Sequence, residues 1–355
     1  MLGGMVTIAQ LPFQDITLDP YRASALGDVN AATHLQTLVT DGDVFLPRGT
    51  LLLNSGMTAA NPLNLRGRRS LSIVQASNTF TAEGTFLTLS PSTVVERRGW
   101  YVGDFTFDNA GTNVKNVIVI DLTAVNQYLS KLKIANVIAD TVTDYFVKLV
   151  NPTNVDGLFT SVFEDNWSLN GYYLERIGDS VVLQRNTVTG AGVSVYLNQV
   201  STAAHVILRD NNMTSVGGAL DCVKSASLVF ENNQVEVAGT FTGVNSAAVS
   251  LDGDGVLTHW GAKIRNNNIN CQSNATLRCI YLEFAAAVEI EGNNLYCHPS
   301  TGTHIYIDAN ARDVYVGNNQ YFSTVDGTDI QPRITDNGQG TMGVWKTASL
   351  TTAWT

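Results

Sequence analysis

Arg185-Asn186-Thr187-Val188, Asn211-Asn212-Met213, Asn233-Gln234-Val235, Asn267-Asn268-Ile269, Asn293-Asn294-Leu295 and Asn319-Gln320-Tyr321 place one short motif, an asparagine just ahead of an apolar residue, at near-constant intervals. Successive asparagines are 25, 22, 34, 26 and 26 residues apart. A period in the twenties, with short apolar runs between turn residues, reads as a solenoid in which each repeat makes one coil. Weaker copies at Asn109, Asn136 and Asn166 extend the pattern upstream.

What fills each period selects the kind of solenoid. The fillers are short β-branched or aromatic runs such as Ser180 to Gln184 (SVVLQ), His205 to Arg209 (HVILR), Ser227 to Glu231 (SLVFE) and Val288 to Gly292 (VEIEG), with neither a helix nor a leucine framework in each unit. Coils of strands and turns alone predict an all-β fold, a single-stranded right-handed parallel β-helix of about 9–11 coils. Equivalent residues then stack at roughly 4.8 Å, so like residues form rows. An asparagine row suits a bend, because its amide satisfies backbone groups there and bonds the amides above and below. These asparagines are therefore expected to be structural.

The chain has 355 residues, 44% of them hydrophobic, and no Pro- or Ser-rich linker divides it. A net charge of −10, from 31 acidic and 21 basic residues, argues against nucleic acid as a partner, since phosphate binding needs a basic face. No run is long or apolar enough to predict membrane insertion. The start, MLGGMVTIAQLPFQD, lacks the features of a secretory signal, so synthesis and folding in a cytoplasm are expected. Of four cysteines, Cys271 and Cys297 each follow a row asparagine by four residues and are expected to stack within disulfide reach, with reduced, buried thiols the favoured state. Cys222 and Cys279 have no evident partner. Without a C-x-x-C and with scattered histidines, no metal site is expected.

The first hundred residues are organised differently. Asn30 is placed to cap a short helix near 30–39, AATHLQTLV, whose Ala32, Leu35, Leu38 and Val39 make an apolar face. Then follow turn residues Asp41 to Asp43, a strand at Val44 to Leu46, the Pro47-Arg48-Gly49 corner and a second apolar strand. A helix there would cover the open edge of the first rung. Here ALGDVNAATHLQTL followed by GDVFLPRGTLLL resembles the opening of phage tailspikes and related pectate-lyase-like proteins, which have a Gly-Asp segment, an alanine- and glutamine-containing helix and a Val-x-Leu-Pro-x-Gly strand entering a right-handed parallel β-helix. This chain has Asp28-Val29-Asn30 in place of the adjacent acidic pair often found ahead of that helix. The resemblance implies a homotrimer on a virion tail, assembled with other phage tail proteins, that binds and often cleaves a bacterial surface polysaccharide. Three segments follow: 1–23 for attachment, 24–322 as the β-helix, and 323–355 as a C-terminal cap or trimer contact that includes Trp345 and Trp354.

Chemistry has to be sought on the outside of the coils. Ahead of each row asparagine lies a strand ending YLE at Glu175, YLN at Asn198, ALD at Asp221, SLD at Asp252, YLE at Glu283 and YID at Asp308. If the middle apolar residue points inward, alternation sends both neighbours outward. Two rows are expected: Glu175, Asn198, Asp221, Asp252, Glu283 and Asp308, and beside it Tyr173, Tyr196, Ala219, Ser250, Tyr281 and Tyr306. Tyrosine faces and carboxylates suit a saccharide, with Ala219 and Ser250 leaving room for a sugar ring. Acids one rung apart would be separated by about 5 Å, matching a retaining glycosidase pair such as Asp221 with Asp252; about 10 Å, as for Asp221 with Glu283, approaches the inverting spacing. Repulsion among stacked acids should raise at least one pKa, supplying a protonated acid beside an ionised one.

The 34-residue interval between Asn233 and Asn267 is about eight residues longer than its neighbours. Its surplus is expected to wall the groove with Asp254, a further candidate acid, His259, an acid or base, and Trp260, a stacking platform. A lyase acting on uronic acids is the second enzyme reading, with Lys224, His259, Arg278 and Tyr281 near the strip and Asp252-Gly253-Asp254 as calcium ligands. The rival from another class is a fibre or adhesin that binds a glycan without cutting it.

Overall fold

A computed structural model of the chain describes the strand Gln14–Asp15 and residues 31–343 apart from 81–83, 93–94, 97–98, 110–113, 125–126, 141, 153–156, 191, 199–204, 239–240, 244, 254, 256–258 and 272–275. The fold is a right-handed parallel β-helix. Each coil adds one strand to an eleven-stranded parallel sheet, which runs from Met57–Ala59 through Tyr172–Glu175, Val195–Asn198, Leu220–Lys224, Ala247–Asp252 and Arg278–Glu283 to Ile334–Asp336. The rest of each coil enters a 21-stranded sheet that bends at the asparagine corner.

Stacking of like residues builds the core. On the eleven-stranded sheet, Val195, Leu220, Val249, Ile280 and Ile305 form one inward row, and Leu197, Cys222, Leu251, Leu282 and Ile307 form the next. All ten are essentially excluded from water, and burying a large aliphatic side chain is worth roughly 1.5–3 kcal/mol.

The asparagine row is continuous from Asn166 through Asn186, Asn211, Asn233, Asn267 and Asn293 to Asn319. In every step the backbone N–H and the Nδ2 of one asparagine both donate to Oδ1 of the next, at 2.9–3.2 Å. Each Nδ2 also donates to a backbone carbonyl of the coil before, as Asn233 does to Leu208 at 3.0 Å. The residue ahead of the asparagine has positive φ at Asp165, Arg185, Asp210, Asn232, Asn266 and Gly292, which turns the corner. Asn136 and Asn109 do not belong to this row. Oδ1 of Asn166 accepts from Val137 N–H, which itself pairs with Phe105, so the row positions above are apolar. Asn136 holds the positive-φ position and donates to Asp104 at 3.0 Å.

The helix spans Ala32–Asp41 and buries Leu35, Leu38 and Val39 over the first rung. Its N-cap is Ala31, with no side-chain cap bond; Asn30, expected in that role, lies outside the described residues. At the other end the stacking continues past residue 322, with Ile334–Asp336 on Thr303–Ile307 and Met342–Gly343 on Tyr315–Val316. Trp345 and Trp354 lie outside the described residues. All four cysteines are free and buried, and the close sulfur contact is Cys271 to Cys279, 3.8 Å, both in the same coil.

Candidate functional site

The outer face of the eleven-stranded sheet carries the two expected rows with one shift of register. Tyr173 pairs with Tyr196 and Glu175 with Asn198. On the next rung Tyr196 meets Asp221 and Leu197 meets Cys222, and the register then slips so that Asn198 meets Lys224. Asp221 therefore belongs to the tyrosine row, between Tyr196 and Ser250, followed by Tyr281 and Tyr306. The physical reason is Cys222. Small enough for the interior and wholly buried, it takes the core place expected for Leu220, while Leu220 fills the inward place before it. Ala219 precedes the strand and is buried. The acid row that remains around this slip is Glu175, Asn198, then Asp252 paired with Glu283, then Asp308 at the end of the next strand.

Asp221 is 5% exposed, and its Oδ1 is buried with no hydrogen-bond partner among the described residues. Burial, reinforced by the charge of Asp252, pushes its pKa up to about 6. Tyr196 is in turn pushed up to about 12 by burial and by Asp221. Asp252 accepts a hydrogen bond from Asn245 Nδ2 at 2.9 Å, and the same nitrogen donates to Ser250 Oγ at 3.1 Å. Asn245 and Ser246 both have positive φ, and Arg278 fixes this turn by donating to the Asn245 carbonyl at 2.9 Å. Sequence reading missed Asn245, because a turn asparagine carries no signal of which side chain it will face. Glu283 accepts from the Tyr281 hydroxyl at 2.9 Å; burial and the neighbouring Asp252 raise its pKa, outweighing the opposing effect of that bond.

Tyrosines flank the acids on both sides. Tyr173 stacks on Tyr196 at 4.9 Å and 11°, with Tyr145 at 5.2 Å from Tyr173. Tyr281 stacks on Tyr306 at 5.4 Å. Each group carries a cation: Lys148 Nζ lies 5.6 Å from the Tyr145 and Tyr173 rings, and the Arg278 guanidinium 4.2 Å from Tyr306. Glu175 accepts from Asn151 N–H, and Asp308 closes a local turn with Asn310.

The long interval places its residues differently from expectation. His259 is wholly buried, with Nδ1 3.2 Å from the Ser225 hydroxyl, so it is not presented to the groove. Trp260 is half exposed beneath Arg312 on a short two-stranded sheet that pairs with Ala285–Ala286, outside the groove sheet. Asp254 lies outside the described residues, and the proposed calcium pair with it. Among the described residues no group of three or more His, Cys, Asp and Glu is placed to hold a metal ion, and no helix is long and apolar enough to cross a membrane.

No protein-family model matches the sequence, nor does any curated protein. Solved structures do align with the fold. The A-module of mannuronan C-5 epimerase AlgE6 from Azotobacter vinelandii superposes with a TM-score of 0.57 at 12% identity, covering 89% of this chain and 96% of that one. Tailspike protein 3 of bacteriophage CBA120 gives 0.56 at 12% identity over 94% of this chain, which spans 57% of the tailspike. The catalytic unit of a GH87 alpha-1,3-glucanase from Streptomyces thermodiastaticus gives 0.55 at 13%, covering 89% and 66%. At these identities the likeness shows a fold: the right-handed parallel β-helix found in phage tailspikes and pectate-lyase-like proteins.

Proposed function

We propose that this chain binds a bacterial surface polysaccharide along the tyrosine row and hydrolyses it, with Asp221 as general acid and Asp252 as general base. The observation that carries the reading is Asp221: buried between Tyr196 and Ser250, with one oxygen unpartnered and a pKa near 6. Such a carboxyl holds a proton that it can give to a glycosidic oxygen. Asp221 and Asp252 are one rung and two residues apart, a diagonal of roughly 8 Å at the backbone. Were the carboxyl groups to keep that backbone spacing, it would fall within the roughly 6.5–9.5 Å of an inverting pair rather than a retaining one. Asp252 would take a proton from water as the water oxygen attacks the anomeric carbon, and the departing sugar oxygen would receive the proton of Asp221. Asn245, whose Nδ2 also donates to Ser250, holds Asp252 toward that task, and Glu283 on the paired rung adds negative charge near the developing oxocarbenium ion.

The likeness to a phage tailspike supports a place on a virion tail, and the epimerase and glucanase likenesses support a polysaccharide as ligand. The lyase reading is weaker, because His259, one of its candidate bases, lies off the groove sheet on a strand paired with Ala285–Ala286, with Nδ1 3.2 Å from the Ser225 hydroxyl. The test is the size distribution of capsule and O-chain polysaccharides from a panel of hosts after incubation. Wild type should shorten a polymer that Asp221→Asn and Asp252→Asn leave at full length. Polymers that bind yet stay intact with wild type would make the groove a recognition surface only.

A further inference from the structure

Beside the tyrosine row, where the coils turn onto the groove sheet, lies a cavity of about 480 Å³ lined by Asp144, Tyr145, Asn170, Thr189, Val193 and Tyr196 among others. Its volume is that of a small-ligand site, which typically runs about 300–1,000 Å³. Tyr145 and Tyr196 belong both to the cavity and to the aromatic surface beside the row, and Tyr196 pairs directly with Asp221. The cavity therefore opens within one rung of the acid. Much of its wall is backbone: a Cβ on Gly190 would come within 1.8 Å of the Leu169 carbonyl, so this close approach of neighbouring coils requires glycine.

We propose that this cavity is a side subsite for a branch sugar, so that the substrate class is a branched polysaccharide. The inference rests on the reading of the groove as a glycan site and adds to it. A main chain lying over Tyr173, Tyr196 and Asp221 follows the stacking direction of the rungs, whereas the cavity extends sideways from that line into the turns before the strands. A linear polymer would pass the opening and leave it to water. A branch entering it meets Tyr145, Asp144, Asn170 and Thr189, a mixture of apolar face and hydrogen-bonding groups that suits a pyranose.

The test uses immobilised capsule and O-chain polysaccharides of known repeat, each branched polymer paired with its own debranched backbone from periodate degradation. Wild type should retain one or more branched polymers at least about tenfold more tightly than the matching backbone. Thr189→Trp and Val193→Phe, each filling the cavity, should lose that preference while melting as wild type does. Equal retention of the debranched backbone, unchanged preference in both folded variants, or retention of no branched polymer overturns the proposal. A branched polymer held through the cavity but never shortened would defeat hydrolysis and leave the subsite standing; a linear polymer bound and cut would do the reverse.

Discussion

At the scale of single residues the proposed function turns on Asp221, whose burial next to Asp252 disfavours its charged form. An unfolded aspartate ionises near pH 4, while the folded one does so near pH 6. Between those values the native state holds the extra proton, so stability falls as pH rises from about 4 to 6 and is level above. Asp221→Asn should remove this slope and raise stability at pH 7 by about 1–3 kcal/mol, with little difference from wild type at pH 4. Melting temperatures of both proteins across that range check it; parallel curves would mean that Asp221 is not held protonated. If Asp221 is the proposed general acid, hydrolysis should fall as pH climbs through 6, because only the protonated form donates. The residue was visible in the sequence as part of an acid row but assigned to the wrong line. Leu220-Asp221-Cys222 offers two core residues flanking one outward acid, and matching on leucine alone chose the wrong one.

At the scale of elements, the asparagine ladder is what the sequence spelled most clearly, because each copy makes the same bonds at the same corner. The period therefore identified the row from Asn166 to Asn319, and the alternation of short strands identified the groove sheet. It failed at Asn109 and Asn136, because apolar Phe105 and Val137 hold the row there, and Asn136 instead donates to Asp104 from the positive-φ position. The groove-side turns were not legible either: Asn245 acts on Asp252 only through a backbone conformation that residue type does not announce. Energetically the ladder is cooperative. Asn233→Ala removes the acceptor of two bonds from Asn211 and the donor of bonds to Leu208 and Asn267, all buried. At about 1–3 kcal/mol for a buried group left unpaired, a loss of about 3–5 kcal/mol is expected. Asn319→Ala, partly exposed at the end of the ladder, should cost clearly less. Thermal melts of the two variants compare them directly, and equal losses would show that the ladder does not act as a connected element.

At the scale of the whole molecule, a solenoid is held by neighbours on both sides everywhere except at its ends, so the ends decide how it meets other chains. The rung carrying Asp221 has six rungs of the groove sheet before it and four after, which keeps the site clear of both ends. Among the described residues, the open edge of this sheet at the start is the strand Met57–Ala59, whose one sheet neighbour is Gly84–Leu89. The helix closes that edge with more than apolar cover. Gln36 lies against Thr58 like a short piece of strand, its Nε2 donating to the Thr58 carbonyl and its Oε1 accepting from the Thr58 N–H, both at 2.8 Å. One side-chain amide thus satisfies both backbone groups that a further strand would otherwise take. Gln36→Leu keeps the side chain's bulk and removes both bonds. Because the pair is exposed to solvent, water takes over part of the loss, and the expected cost is about 0.5–1.5 kcal/mol. The larger effect should be on association, since an uncovered parallel edge is a template for pairing with a second chain. Light scattering at rising concentration should show Gln36→Leu forming assemblies larger than wild type at equal temperature, while Gln36→Asn, too short to reach both groups, behaves similarly. Wild-type size distributions for both variants would mean that the apolar face of the helix alone protects the edge.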